Sequence, residues 1–127
     1  MVFLGGPRQV GKTTLSRQLL PKKQSRYMNW DNPEDREFFL SHKYPVENFL
    51  VFDELHKFKD WRNYIKGLFD TLGTQSKILV TGSARLDYYR FSGDSLQGRY
   101  HYLRLHPLSV AELGIKKRMS AVSVEFV

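Results

Sequence analysis

Short apolar runs recur along the chain, and between them apolar positions return every three or four residues. Met1-Val2-Phe3-Leu4 suits a buried strand. Arg26 to Trp30 suits a second, with Tyr27 and Met28 as its apolar members. Phe49-Leu50-Val51-Phe52 is four apolar residues in a row, as in a central strand covered on both faces. Lys77 to Thr81 predicts a fourth strand, and the alternating Tyr100-His101-Tyr102-Leu103-Arg104-Leu105 a fifth. The helical stretches fall between the strands. The first runs through Leu15, Leu19 and Leu20. The second carries Phe38, Phe39 and Leu40 toward the core. The third spans Lys59 to Leu72, with Trp61, Tyr64, Ile65, Leu68, Phe69 and Leu72 as its inner stripe.

The punctuation agrees with this division. Pro21 stops the first helix near Leu20, and Lys22, Lys23 and Arg26 read as a solvated basic connector. Asp31-Asn32-Pro33 is a turn and helix cap with Pro33 at the first helical position, followed by Glu34 and Asp35 where acids complement the helix dipole. His42 and Tyr44-Pro45 close that helix, with His42 on the surface, and Gly73 ends the third. Ser109 caps a short helix through Val110 to Leu113, and Glu112 completes a capping box. Strands thus alternate with helices, an α/β pattern.

Chemistry enters at the first strand–helix junction. Gly6-Pro7-Arg8-Gln9-Val10-Gly11-Lys12-Thr13 fits G-x-x-x-x-G-K-[ST], between a strand and a helix as a phosphate-binding loop requires. Gly6 and Gly11 permit close backbone approach to a phosphate, and successive N–H groups plus the helix N-terminus supply positive potential. Lys12 is expected on the β- and γ-phosphates and Thr13 on Mg²⁺, with Thr14 continuing the nucleotide-binding stretch. The competing reading is a glycine-rich turn matched by chance.

A second motif stands at the end of the Phe49–Phe52 run. An acidic pair, Asp53-Glu54, at the tip of a buried strand is costly unless it serves a cation or a reaction. Asp53 is the candidate for the Mg²⁺ shell and Glu54 for the general base that activates water; an acidic helix N-terminus is the plainer alternative. After the fourth strand, Thr81 and Ser83 are candidates to contact a γ-phosphate, and Ser83 is equally suited to cap a helix. Arg99, after the polar Gly93 to Gly98 segment, is a candidate to neutralise γ-phosphate charge in its own subunit or a neighbour's, or else a structural ion-pairing residue. Glu54 has no glycine two residues on, and no asparagine-lysine-x-aspartate motif follows, which favours ATP over GTP.

Composition narrows the rest. The chain of 127 residues is enough for one small domain. Its net charge of +7 is compatible with a nucleic acid or other polyanion as partner, or with a merely basic surface. Zero cysteines exclude disulfides, thiolate metal sites and a cysteine nucleophile, and suit a reducing cytoplasm. No apolar stretch has the length to span a bilayer, and the first residues do not form a signal peptide.

The ordered set of motifs resembles bacterial and archaeal AAA-type ATPases related to the STAND group, which pair an ATPase domain with a C-terminal domain of nuclease-like fold. The resemblance rests on Gly6 to Thr14, Asn29-Trp30-Asp31-Asn32-Pro33, Val51-Phe52-Asp53-Glu54 with Trp61 following, Leu79 to Ser83, Gly93 to Tyr100 and Leu105-His106-Pro107-Leu108-Ser109. It implies a three-layer P-loop NTPase with a parallel five-stranded sheet of 5-1-4-3-2 order. It also implies ATP and Mg²⁺ as cofactors, and hydrolysis through Lys12, Thr13, Asp53 and Glu54 with Arg99 assisting. Residues 1–114 are then the ATPase domain and residues 115–127 a basic tail, in part disordered. Such proteins usually carry a segment before the first strand and continue past the Pro-Leu-Ser box, so the chain resembles a truncated member. Two functions follow: an ATPase, or a nucleotide-binding module whose hydrolysis is negligible without a missing domain or a partner. A homo-oligomer through Arg99 and a nucleic-acid partner are open under both; a membrane is not expected.

Overall fold

The strand residues alternate between two environments, and that alternation positions everything else. A computed structural model describes residues 1–82, 98–114 and 123–126. Its elements are β1 (Val2–Gly5), α1 (Lys12–Leu19), β2 (Ser25–Asn29), α2 (Pro33–Leu40), β3 (Phe49–Asp53), α3 (Trp61–Leu72), β4 (Lys77–Thr81), β5 (His101–His106), α4 (Val110–Gly114) and β6 (Ser123–Phe126). A 3-10 turn, Leu55–Lys57, follows β3, and a second, Gly73–Gln75, follows α3.

The sheet order is β2-β3-β4-β1-β5-β6. The first five strands pair in parallel, as the 5-1-4-3-2 expectation requires. The sixth is an addition: Ser123–Phe126 pairs antiparallel with β5, His106 opposite Ser123 and Leu103 opposite Phe126. Four residues within a stretch read from sequence as a basic tail carry too little pattern to announce a strand.

Right-handed crossovers decide which face each helix takes. The β1-to-β2 connection crosses the sheet in one direction; β2-to-β3 and β3-to-β4 cross in the other. So α1 lies on one face, and α2 and α3 on the opposite one. Phe3, Met28, Leu50, Phe52, Ile78, Val80 and Tyr102 point toward α2 and α3, where they meet Phe39, Trp61, Tyr64, Ile65 and Leu68. Leu4, Val51, Leu79 and Leu105 point toward α1, where Leu15 and Leu20 cover them in part.

The caps form as their chemistry dictates. Asn32 Oδ1 accepts from the N–H of Glu34 at 2.9 Å and of Asp35 at 3.4 Å, with Pro33 at the first helical position. Ser109 and Glu112 form the reciprocal capping box, the Ser109 N–H donating to Glu112 at 2.6 Å and the Glu112 N–H to Ser109 Oγ at 3.2 Å. Gly73 ends α3 with φ 62°.

Two readings of the pattern need correction. Leu40 is 56 % exposed while Phe39 is fully buried, because three consecutive helical residues span about 200° and cannot share one buried stripe. Arg26, grouped with the basic connector as well as with the second strand, belongs to the strand: it lies in β2, its guanidinium 4.5 Å from the Phe38 ring centroid and 3.9 Å from Glu47. The arginine's stem covers apolar surface while its charge reaches water.

Candidate functional site

Topology places a crevice at the carboxyl end of β1. The chain leaves β1 toward β2 on one side, and the β4-to-β5 connection passes to the other, so the strand ends diverge there. The phosphate-loop residues fill this switch point. Gly6 has φ 142°, and a Cβ there would collide with the Leu105 carbonyl of β5. Only glycine lets the loop leave β1 beside β5. Gly11 has φ 99° and precedes the first turn of α1, so its role is conformational rather than steric.

Lys12 opens α1 and is 7 % exposed. Its ammonium folds back over the loop and donates to the carbonyls of Gly6 at 2.9 Å and Pro7 at 2.5 Å. Burial lowers its pKa from the ordinary lysine value, and the carboxylates of Glu54 and Asp53 oppose that shift. The cation is therefore held at the loop by two neutral acceptors, ready for an anion.

Asp53, the last residue of β3, is 1 % exposed. Three hydroxyls converge on its carboxylate. Thr13 Oγ1 donates to Oδ2 at 2.7 Å, Tyr27 also donates to Oδ2, and Thr81 donates to Oδ1. A buried carboxylate is tolerable because its acceptors are satisfied. Burial, reinforced by the hydrogen bond to Asp53, pushes the Tyr27 phenol up to about 12.

Glu54 follows in the left-handed region, φ 57°, which non-glycine residues rarely occupy. Its Oε2 lies 3.5 Å from Lys57 Nζ and 3.7 Å from His56 Nε2. Lys57 in turn grips both oxygens of Asp31 at 2.9 Å, joining the segments that follow β2 and β3. The bond to Asp31, helped by Glu54, raises the Lys57 pKa.

Several of these groups line one cavity of about 560 Å³. Arg8, Gln9, Gly11, Lys12, Thr13 and Thr14 contribute from the loop and α1; Asp31, Glu54, His56 and Lys57 contribute from the tips of β2 and β3. Among the described residues no group of three or more His, Cys, Asp or Glu could hold a metal ion alone. The Thr13 hydroxyl and Asp53 carboxylate nevertheless fit magnesium, which takes one or two protein oxygens and leaves its other positions to water and phosphate.

Most of the described residues singled out from sequence thus meet in one place, and Arg99 does not. Ser83 lies outside the described residues. Arg99 is at the wrong end of the sheet for its own loop: it precedes β5, whose first residue pairs with Val2, whereas the loop follows Gly5 at the other end. Arg99 pairs instead with Asp70 at 3.4 Å, and it lines an apolar cavity of about 710 Å³ with Met1, Leu19 and Phe49. Tyr27, Asp31, His56 and Lys57 were not visible as site residues in the sequence. For Tyr27 the signal is its register opposite Val51, on the same face as Asp53 and two register positions before it, which only the strand pairing reveals.

A parallel sheet of this order, with a glycine-framed lysine–threonine loop at its switch point, defines a P-loop NTPase-like fold. Residues 1–114 match the family described as "AAA domain", and the chain belongs to that family. It is also similar to two curated mycobacterial proteins, the uncharacterized protein Rv2008c of Mycobacterium tuberculosis and the uncharacterized protein Mb2031c of Mycobacterium bovis. Each is 29 % identical over 117 residues, covering 90 % of this chain and 26 % of the relative. The chain thus spans about a quarter of their length. Membership makes it a nucleotide-binding, ATPase-like domain. Among the described residues no helix is long and apolar enough to cross a membrane.

Proposed function

We propose that this domain binds ATP with Mg²⁺ and hydrolyses it by attack of water on the γ-phosphate. The observation that carries the reading is the meeting of Lys12, Thr13 and Glu54 in one cavity, with the buried Asp53 joined to Thr13 at 2.7 Å. Loop N–H groups and Lys12 bind the phosphates. Thr13 and Asp53 would hold the cation, which when bound neutralises phosphate charge. Glu54 orients the attacking water and accepts its proton. Thr81, fixed on Asp53, keeps the carboxylate in place from β4. Any part Arg99 plays in hydrolysis is across an interface with a second copy. Residence in a reducing cytoplasm and a nucleic-acid partner belong to the same proposal; the absence of cysteine and the net charge of +7 support them.

One observation favours a second reading, a binding module with negligible turnover by itself. The Glu54 carboxylate is already engaged, its Oε2 lying 3.5 Å from Lys57 Nζ and 3.7 Å from His56 Nε2, and these contacts compete with an attacking water for the same oxygen. ATP turnover by the wild type and Glu54→Gln separates the two. The ATPase reading expects the substitution to spare ATP binding and slow hydrolysis about a hundredfold. Equal, barely measurable rates in both proteins would leave the binding module.

A further inference from the structure

Asp53 is held from four elements, yet only three have a part in the site as read above. β3 supplies the carboxylate, α1 supplies Thr13, and β4 supplies Thr81. The fourth is β2, through the Tyr27 hydroxyl, which donates to Oδ2, the same oxygen that takes Thr13 Oγ1. That oxygen is the one on which a cation shared with Thr13 depends.

Tyr27 is itself fixed. The Arg17 guanidinium of α1 lies 4.4 Å from its ring centroid, and Asn29 Nδ2 lies 3.4 Å from its hydroxyl. Its backbone pairs with Val51, two residues before Asp53, so the ring extends along the α1 face toward the strand tip. A tyrosine wanted only for packing would have no need to end on a carboxylate already served by two threonines. Groups that hydrogen-bond a metal ligand orient it and tune its affinity.

We propose that Tyr27 is a positioning residue for the Asp53 carboxylate, setting its rotation so that Oδ2 stands beside the Thr13 hydroxyl and so determining how tightly the divalent cation is held with the nucleotide. This rests on the site being a Mg–nucleotide site. Tyr27 does not touch the nucleotide; it acts through Asp53, and Arg17 supports it from the solvent side.

Tyr27→Phe removes the hydroxyl and leaves the ring under Arg17. ADP is titrated calorimetrically into the full chain of wild type and variant, without Mg²⁺ and across a series of Mg²⁺ concentrations. Mn²⁺ retained on the ADP complex is counted by electron paramagnetic resonance. The expected result is metal-free ADP affinity equal to wild type, with the Mg²⁺ requirement raised about tenfold and Mn²⁺ retention weakened alongside. An unchanged or lowered Mg²⁺ requirement overturns the proposal. So does a loss of ADP affinity that is equal with and without Mg²⁺, because that is the signature of packing alone. If wild-type ADP binding itself ignores Mg²⁺, the Mg–nucleotide reading fails and takes the role of Tyr27 with it. If wild type responds and the variant tracks it, only the role of Tyr27 fails.

Discussion

Beneath α2 and α3 the sheet presents large apolar side chains, while beneath α1 the same strands present smaller apolar ones ending in hydroxyls and a carboxylate. On the first face Phe39 meets Phe52 and Tyr64 edge-on at 5.5 and 5.3 Å, and Trp30 stacks on Phe58 at 5.0 Å. The Tyr64 hydroxyl ties α3 to the Lys43 carbonyl at 2.6 Å. On the second face Asp53 and Thr81 are buried with their polar groups on each other and on Thr13. Strand alternation makes this division available: one residue of each pair can be chosen for packing and the next for chemistry. Phe52 and Asp53, neighbours in sequence, serve the two purposes from opposite faces.

The largest test of that division is Phe39→Ala. Removing a fully buried ring should cost about 3–5 kcal/mol of unfolding free energy, read from denaturant melts. Its ligand-saturated Mg²⁺ requirement should stay at the wild-type value; a shifted requirement in folded protein would break the separation between faces. Lys12→Ala addresses the other face. Loss of a buried, hydrogen-bonded cation should weaken ATP binding at least about thirtyfold by calorimetry, and unchanged affinity would remove the loop from the binding site. The wild-type affinity should also fall as the pH rises, because the ammonium is the binding form. Burial starts that fall below the ordinary lysine value of 10.5, and the Ala variant should show a flat profile over the same range. Asn32→Ala is the smallest change. It removes the cap of α2 and should cost about 1 kcal/mol of stability with nucleotide binding intact. An effect on binding would show that the β2–α2 corner, through its neighbour Asp31, acts on the site.

Much of this was legible in the sequence, for reasons that differ by element. The phosphate loop could be read because its defining residues answer local backbone demands: Gly6 and Gly11 by their positive φ, Lys12 and Thr13 by their place in the first turn of α1. Asp53-Glu54 stood out because two acids after four apolar residues conflict with burial unless something answers them. The caps at Asn32 and Ser109 were legible because a cap and its partners lie within three residues of one another. Strand order came with the family resemblance and not with periodicity, which says where strands are but not which ones pair.

What the sequence determined by itself, then, is the set of local structures and the loop that fits the phosphate-binding pattern, since these depend on neighbours a few residues away. Tertiary structure alone decided the rest. It put Tyr27 and Thr13 on the same oxygen of Asp53, 26 and 40 residues from it along the chain. It carried Arg99 to the far end of β5, away from its own loop. It also made a strand of Ser123–Phe126 by giving it the open edge of β5. Each of these is a long-range pairing, fixed by register and crossover hand, and no window of sequence short enough to read contains both partners.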